Sequence, residues 1–160
     1  MSPRRPTPPE APPLHVAEPP AAYGMRPPMV VDASVLAAAL FGEERHALAV
    51  TTLTVRALAA PHLLDCEIAS VALKKQRREA LPEDTIGRAL QLYAALDIAR
   101  HPVDASAVLA LAQRYALSAY DAAYLWLAAN LRCPLATFDD KLAAVARQHL
   151  GSPRSTDDPA

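Results

Sequence analysis

Glycine is nearly absent from this sequence: 4 residues in a chain of 160. They stand at Gly24, Gly42, Gly87 and Gly151, so neither a GxGxxG turn nor a Walker A loop can be written anywhere along it. Nucleotide sites of those types are excluded. Cysteine is scarce as well. Cys66 and Cys133 lie far apart with no CxxC spacing, which argues against a disulfide framework or a thiolate zinc site and points to a reducing cytoplasmic setting. Positive charge is not in excess: 16 Lys+Arg stand against 17 Asp+Glu, a net charge of −1. That excludes a generally basic, charge-driven nucleic-acid binder and leaves room for a local basic surface. No stretch of 18 uncharged apolar residues occurs, so no membrane-spanning helix is expected. What the chain does have is apolar content, 52% hydrophobic against 21% charged, enough for one packed domain.

Proline is abundant but unevenly placed, with 10 of the 16 in residues 1–28. Prolines at that density deny both helix and ladder hydrogen bonds, so 1–28 reads as a disordered or polyproline-like leader. It lacks the apolar run of a secretory signal, and Met25 and Met29 offer later starts. Residues 29–151 read as one globular domain and 152–160 as a flexible polar tail. Within the domain, Met29-Val30-Val31 reads as a buried strand, followed by a helix from Ser34 to Leu40. A second helix is expected over 44–58, although Thr51, Thr52 and Thr54 are weak helix formers. Pro61 breaks the chain. Further helices are expected over 63–78, 82–95, 104–115, 119–130 and 140–149, with short strands at 97–101 and 134–137. Short apolar strands alternating with helices imply an α/β fold, a parallel sheet covered on both faces.

Four acids lie beside apolar sequence, where charge is costly. Asp32 directly follows the first strand, where open parallel sheets place their sites; an N-cap for the next helix explains it equally well. Glu67 falls within about 60° of Leu63, Leu64 and Val71 on its helix, while Asp65 points nearly opposite. A carboxylate in that apolar sector must be neutralised, metal-bound or paired, for instance with Lys74. Asp121 opens a helix that is apolar nearly all round, and Ser118-x-x-Asp121 also matches a capping box. Asp139 follows the strand PLAT as Asp32 follows the first, and Thr137-x-x-Asp140 is a second capping-box match. Together the four suggest one carboxylate cluster, whose mutual repulsion a hard divalent cation, Mg²⁺ or Mn²⁺, would relieve.

VVDASV, a helix carrying Glu67, SAYDAAYLWLA and LATFDDKL, in this order and spacing, resemble the PIN-domain ribonucleases, and most closely the VapC toxins of bacterial type II toxin–antitoxin pairs. The resemblance spans Met29 to about Gly151. It implies a three-layer α/β/α sandwich with a short four- or five-stranded parallel sheet. It also implies a Mg²⁺- or Mn²⁺-dependent endoribonuclease, usually a homodimer, held by a VapB-type antitoxin. The family's acids map onto Asp32, Glu67, Asp121 and Asp139 as catalytic and metal-binding residues. Ser34 and Thr137 map as the accompanying hydroxyls, and Asp140, one position late, as a capping or supporting residue. The products would carry a 5′-phosphate and a 3′-hydroxyl. Two departures stand out: the leader has no family counterpart, and GSPRSTDDPA offers nothing like the small strand that usually follows the last helix.

Lys74, Lys75, Arg77 and Arg78 are candidates for RNA phosphate contacts, although bases at a helix C-terminus also suit its dipole. Trp126, Tyr124 and Leu127 read as core. Leu36, Leu40 and Phe41 fit either core packing or a groove for an antitoxin's amphipathic segment. His46, His62, His101 and His149 fall in no shared motif. The competing class is a catalytically inactive PIN-fold module that binds RNA or protein, its acids serving caps and packing. A haloacid-type phosphatase is set aside because Asp32-Ala33-Ser34 lacks the second acid of D-x-D-x-T, and a phosphotransfer domain because no lysine follows a later strand. Setting the four acids aside leaves 16 bases against 13 acids, a mildly basic remainder around an acidic centre.

Overall fold

The computed structural model describes residues 27–151. Four strands, β1 (Pro28–Val31), β2 (Ala57–Pro61), β3 (Ile98–His101) and β4 (Leu135–Ala136), form one parallel sheet in the order β3-β2-β1-β4. Seven helices connect and cover them: α1 (Ala33–Phe41), α2 (His46–Thr54), α3 (Leu64–Arg78), α4 (Glu83–Ala95), α5 (Ala105–Tyr115), α6 (Ala119–Leu131) and α7 (Asp140–Gly151). The chain steps from β1 to β2 to β3 in one direction, then returns past β1 to β4. Right-handed crossovers therefore put α1–α4 on one face and α5–α7 on the other, giving the expected α/β/α layering. The order reverses between β1 and β4. Beyond the carboxyl ends of those two strands lies the crevice where doubly wound sheets bind ligands.

The sequence explains most of these elements. Met29, Val30 and Val31 are buried, as a strand covered on both sides demands. Gly42 closes α1 in the left-handed region (φ 65°), a conformation that a Cβ would strain. Helix α6 is internal, with Ala122, Ala123, Tyr124, Leu125, Leu127 and Ala128 all buried. One side of it joins the sheet, α1 and α3 in the larger core; the other meets Val108 of α5 and Leu142 and Ala146 of α7.

Two expectations need correction. Helix α2 stops at Thr54, and the segment read as its end and a break is β2, a central strand. ALAAP contains no β-branched residue, and alanine is the best helix former. Pairing with β1 on one side and β3 on the other overrides that preference. The domain also begins before Met29: Pro28 pairs with Ala57, and the Pro27 carbonyl accepts from the Ala57 N–H (3.2 Å). The rest of the proposed leader and the tail at 152–160 lie outside the described residues, as does any strand following α7. Among the described residues, no helix is long and apolar enough to cross a membrane.

Candidate active site

Asp32 sits at the sheet's switch point. Its N–H donates to the Ala136 carbonyl (3.0 Å), which locks the end of β1 to the end of β4. Among the described residues it is the buried charged one, 8% exposed. Two hydroxyls converge on one of its oxygens: Ser34 Oγ donates to Oδ2 at 2.6 Å and Thr137 Oγ1 at 2.8 Å. These hydroxyls are themselves fixed, since the Phe138 N–H donates to Ser34 Oγ (2.9 Å) and the Asp139 N–H to Thr137 Oγ1 (3.0 Å). The side chain of Asp32 makes no helix cap, so the capping role does not account for it. The order of residues after each strand thus builds a rigid oxygen-rich corner.

Glu67 lies in the first turn of α3, half-buried. Leu64, Ile68 and Ala72 anchor the buried face of that helix. Tyr124, fully buried in α6, donates its hydroxyl to Glu67 Oε2. Burial pushes the Glu67 carboxyl above the ordinary glutamate range; the Tyr124 hydroxyl opposes this, and the charges of Asp32 and Asp121 add to it. The same burial and the Glu67 bond push the Tyr124 hydroxyl far up. Glu67, Asp32 and Asp121, from three separate elements, thus share one electrostatic neighbourhood. The expected alternative partner, Lys74, is not involved.

Asp121 occupies the capping box read from the sequence. Ser118 Oγ accepts from the Asp121 N–H (3.1 Å) and donates to Asp121 Oδ2 (2.7 Å). Asp139 caps α7, its Oδ1 accepting from the Leu142 N–H (2.7 Å). The capping role assigned to Asp140 therefore belongs to Asp139, and Asp140 is the first residue of α7, exposed to solvent. Among the described residues, no three acids close into a ready-made metal-ligand set. Two of them spend an oxygen on Ser118 and on the α7 cap. The chemistry of the donors nonetheless suits a hard cation: all are carboxylate or hydroxyl oxygens, and among the described residues none of the four acids makes an ion pair.

The basic candidates divide. Lys75 is committed elsewhere: its Nζ lies 2.7 Å from Glu43 and 3.1 Å from Glu79, with the side chain only 13% exposed. It is therefore no free RNA contact. Lys74, Arg77 and Arg78 instead line an open depression with Ser70 and Leu73. They stand roughly 10–16 Å along α3 from Glu67 at 1.5 Å per residue. Leu36 is fully buried core, whereas Leu40 and Phe41 are only partly covered. Two of the histidines are engaged elsewhere: His46 Nδ1 lies 3.3 Å from the Ala38 carbonyl and His149 Nδ1 3.0 Å from the Tyr115 hydroxyl. Sequence reasoning assigned Tyr124 to the core alone and missed its bond to Glu67. The signal was present, because Asp121 and Tyr124 are three apart on α6 and share a face.

The PIN domain family model matches residues 29–148, from within β1 into α7. The VapC ribonuclease Mb0985 of Mycobacterium bovis is 40% identical over 117 residues, covering 72% of this chain and 88% of that protein. Ribonuclease VapC1 of Mycobacterium tuberculosis is 32% identical over the same shares. Among solved structures, PAE2754 of Pyrobaculum aerophilum superposes with a TM-score of 0.59 at 22% identity, covering 81% of this chain and 88% of that one. The Mycobacterium tuberculosis toxin VapC20, described as cleaving the sarcin–ricin loop, superposes at 0.55 and 16% identity, covering 73% and 94%. A family match of this extent, on a sheet whose switch point carries the expected acids, makes the chain a member of the PIN-domain family, akin to its VapC proteins.

Proposed function

We propose that this chain is a Mg²⁺- or Mn²⁺-dependent endoribonuclease and the toxin of a type II toxin–antitoxin pair, with a VapB-type antitoxin as its partner and a homodimer as its working form. The observation that carries the reading is geometric: at the switch point Ser34 and Thr137 fix one oxygen of Asp32, Tyr124 fixes Glu67, and among the described residues no cation pairs with Asp32, Glu67 or Asp121. Burial, and to a lesser degree the charges of Asp32 and Asp121, raise the Glu67 carboxyl accordingly. A structural role would have neutralised them; an unneutralised group of acids at a ligand-binding switch point is what metal-assisted phosphodiester hydrolysis needs. The ribonuclease names of the 40% and 32% identical relatives support the same reaction class.

Asp32, Glu67, Asp121 and Asp139 would hold the metal, which when bound lowers the pKa of an attacking water and neutralises charge on the phosphate. The chain's own residues supply orientation. Ser34 and Thr137 fix one oxygen of Asp32. Tyr124 fixes Glu67, and its hydroxyl favours the ionised carboxylate against the burial that opposes it. Ser118 sets the rotamer of Asp121. Attack of a water on phosphorus, with its proton lost to solvent and the departing 3′ oxygen protonated in turn, would give a 5′-phosphate and a 3′-hydroxyl.

RNA cleavage by the wild type and by Asp121→Asn, each with Mn²⁺ and with EDTA, tests this. Cleavage in Mn²⁺ alone, with a loss of at least about a hundred-fold in the variant, is expected for removal of a ligand. Cleavage that survives both the substitution and EDTA would sink the metal-nuclease reading.

A further inference from the structure

The acid corner continues into a second feature that the four acids do not explain. A surface depression of ≈ 260 Å³ is lined by Ser34, Ala37, Ala38, Glu43, Glu44, Arg45 and Phe138. Ser34 belongs to both places: it donates to Asp32 and accepts from the Phe138 N–H. Whatever occupies the depression is therefore next to whatever is bound at Asp32. The Arg45 guanidinium lies over the Phe138 ring, 5.0 Å from its centroid.

The loop bearing Arg45 is held firmly. Gly42 turns the chain at φ 65°. The Glu43 N–H reaches back to the Ala38 carbonyl (3.2 Å), and the His46 N–H to the Glu43 carbonyl (2.8 Å). The Glu43 side chain is clamped by Lys75 of α3 at 2.7 Å. Lys75 thus acts as a positioning residue for this loop, which explains why it is withdrawn from the basic surface. With Glu43 committed to Lys75, Glu44 and Arg45 are the exposed charged groups presented on the loop.

We infer that this depression is a nucleobase subsite that selects guanine in single-stranded RNA beside the bond to be cut. The inference rests on the ribonuclease reading only for the position of the cut. A phosphate is disfavoured there, because the exposed Glu44 carboxylate accompanies the one guanidinium. A base fits all three parts of the lining. Its face takes the place over the Phe138 ring that the Arg45 guanidinium fills in the free protein, as unstacked RNA bases stack on aromatic planes. Arg45 offers donors that suit the O6/N7 edge of guanine, and Glu44 offers an acceptor for N–H groups. Adenine meets Arg45 through N7 alone and the carboxylate through N6–H₂ alone, one bond to each where guanine offers two, and both pyrimidines are smaller across the stack.

The test begins with binding in EDTA, where nothing is cut, to oligouridylates carrying a single G, C or A. Repulsion between the acids and phosphate weakens all of them alike, so the comparison between bases stands. The G-bearing oligonucleotide is expected to bind at least about ten-fold more tightly than the others. That advantage should fall at least about five-fold in Glu44→Gln and in Arg45→Gln, with unchanged circular dichroism and melting temperature showing that both variants fold. Equal binding of all bases, or an advantage untouched by both substitutions, overturns the subsite. Cut sites mapped on a random RNA pool in Mn²⁺ give the second arm: cuts are expected to cluster beside G in the wild type and to lose that bias in both variants. A wild type that prefers G but cuts no RNA removes the ribonuclease reading and upholds the base subsite. Cutting with no base bias, unaltered by Glu44→Gln, does the reverse.

Discussion

Asp65 and Glu67 stand two residues apart on α3 and have opposite fates. Each accepts a hydrogen bond from a buried tyrosine: Asp65 Oδ1 from Tyr93 at 2.5 Å, Glu67 Oε2 from Tyr124. What differs is the cation. Arg100 of β3 lies 3.0 Å from Asp65, donates to the Tyr93 hydroxyl at 2.7 Å, and lies over the Tyr93 ring at 5.2 Å. The Tyr93 and Arg100 hydrogen bonds hold the Asp65 carboxyl below the ordinary aspartate range, while burial pushes the Tyr93 hydroxyl up to about 12. Glu67 faces Asp32 and Asp121 with no such cation, and its carboxyl is raised. A tyrosine partner therefore does not mark a functional acid. An unneutralised charge does, because the fold leaves its compensation to something that binds.

The sharpest way to break this contrast is activity. Glu67→Gln should lose at least about a hundred-fold in Mn²⁺-dependent RNA cleavage, as removal of a metal ligand implies. Asp65→Asn should stay within about three-fold of the wild type, since its partners tie α3 to α4 and β3 and touch none of the four acids. Comparable losses in the two variants, at matched folded fractions, would merge the acids into one class.

A smaller effect separates the tyrosines. Tyr124→Phe removes the donor that opposes the raised Glu67 carboxyl, so Glu67 should rise further. The acidic limb of the pH–rate profile should then move to higher pH, with the loss on that limb roughly ten-fold, the low end of what an orienting partner contributes to a ligand. Above the acidic limb the loss should shrink. Tyr93→Phe should leave the profile in place. A profile unmoved by Tyr124→Phe would make that hydroxyl a packing feature only.

That Asp65 and Glu67 point apart was legible from helical phase alone, and so were Asp32 and Asp139 as residues following strands. What sequence could not supply was partnership across the fold. Arg100 is 35 residues from Asp65 and Tyr124 is 57 from Glu67, separations that no local pattern encodes. The same cause hid β2: Ala57–Pro61 is helix-favouring by composition and is a strand only because β1 and β3 flank it. Lys75 looked like one member of a basic run until α3 brought it against Glu43 in the α1–α2 loop. Asp139 and Asp140 both suited a cap, and a one-residue difference in where α7 begins decided between them. Local signals thus placed each acid; tertiary contacts decided which ones stay uncompensated.

Stability tests the comparison with opposite signs. The lowered Asp65 carboxyl stabilises the fold above the ordinary aspartate value of 3.8, and that contribution is lost as pH falls through its folded value. The Asp65 side chain is 54% exposed, so the ion pair is screened and Asp65→Asn should cost about 1 kcal/mol at pH 7. That is roughly 2–4 °C in melting temperature for a domain of this size. A double-mutant cycle with Arg100→Gln should recover most of that cost as coupling between the two.

Glu67 should do the reverse, by less. Its raised carboxyl contributes fully below the ordinary glutamate value of 4.5, and that contribution is lost as pH rises through its folded value. In EDTA at pH 8, Glu67→Gln should therefore melt about 1–2 °C above the wild type, a small gain because the group is only half-buried and solvent screens it. Near pH 4 the two proteins should converge. Adding Mn²⁺ at pH 8 should invert the order, because a cation that binds the folded wild type stabilises it by mass action and finds a weaker site in the variant. If Glu67→Gln instead melts lower in EDTA at pH 8, the Tyr124 bond outweighs burial and repulsion. Glu67 would then be a stabilising acid like Asp65, and its missing cation would no longer point to a metal.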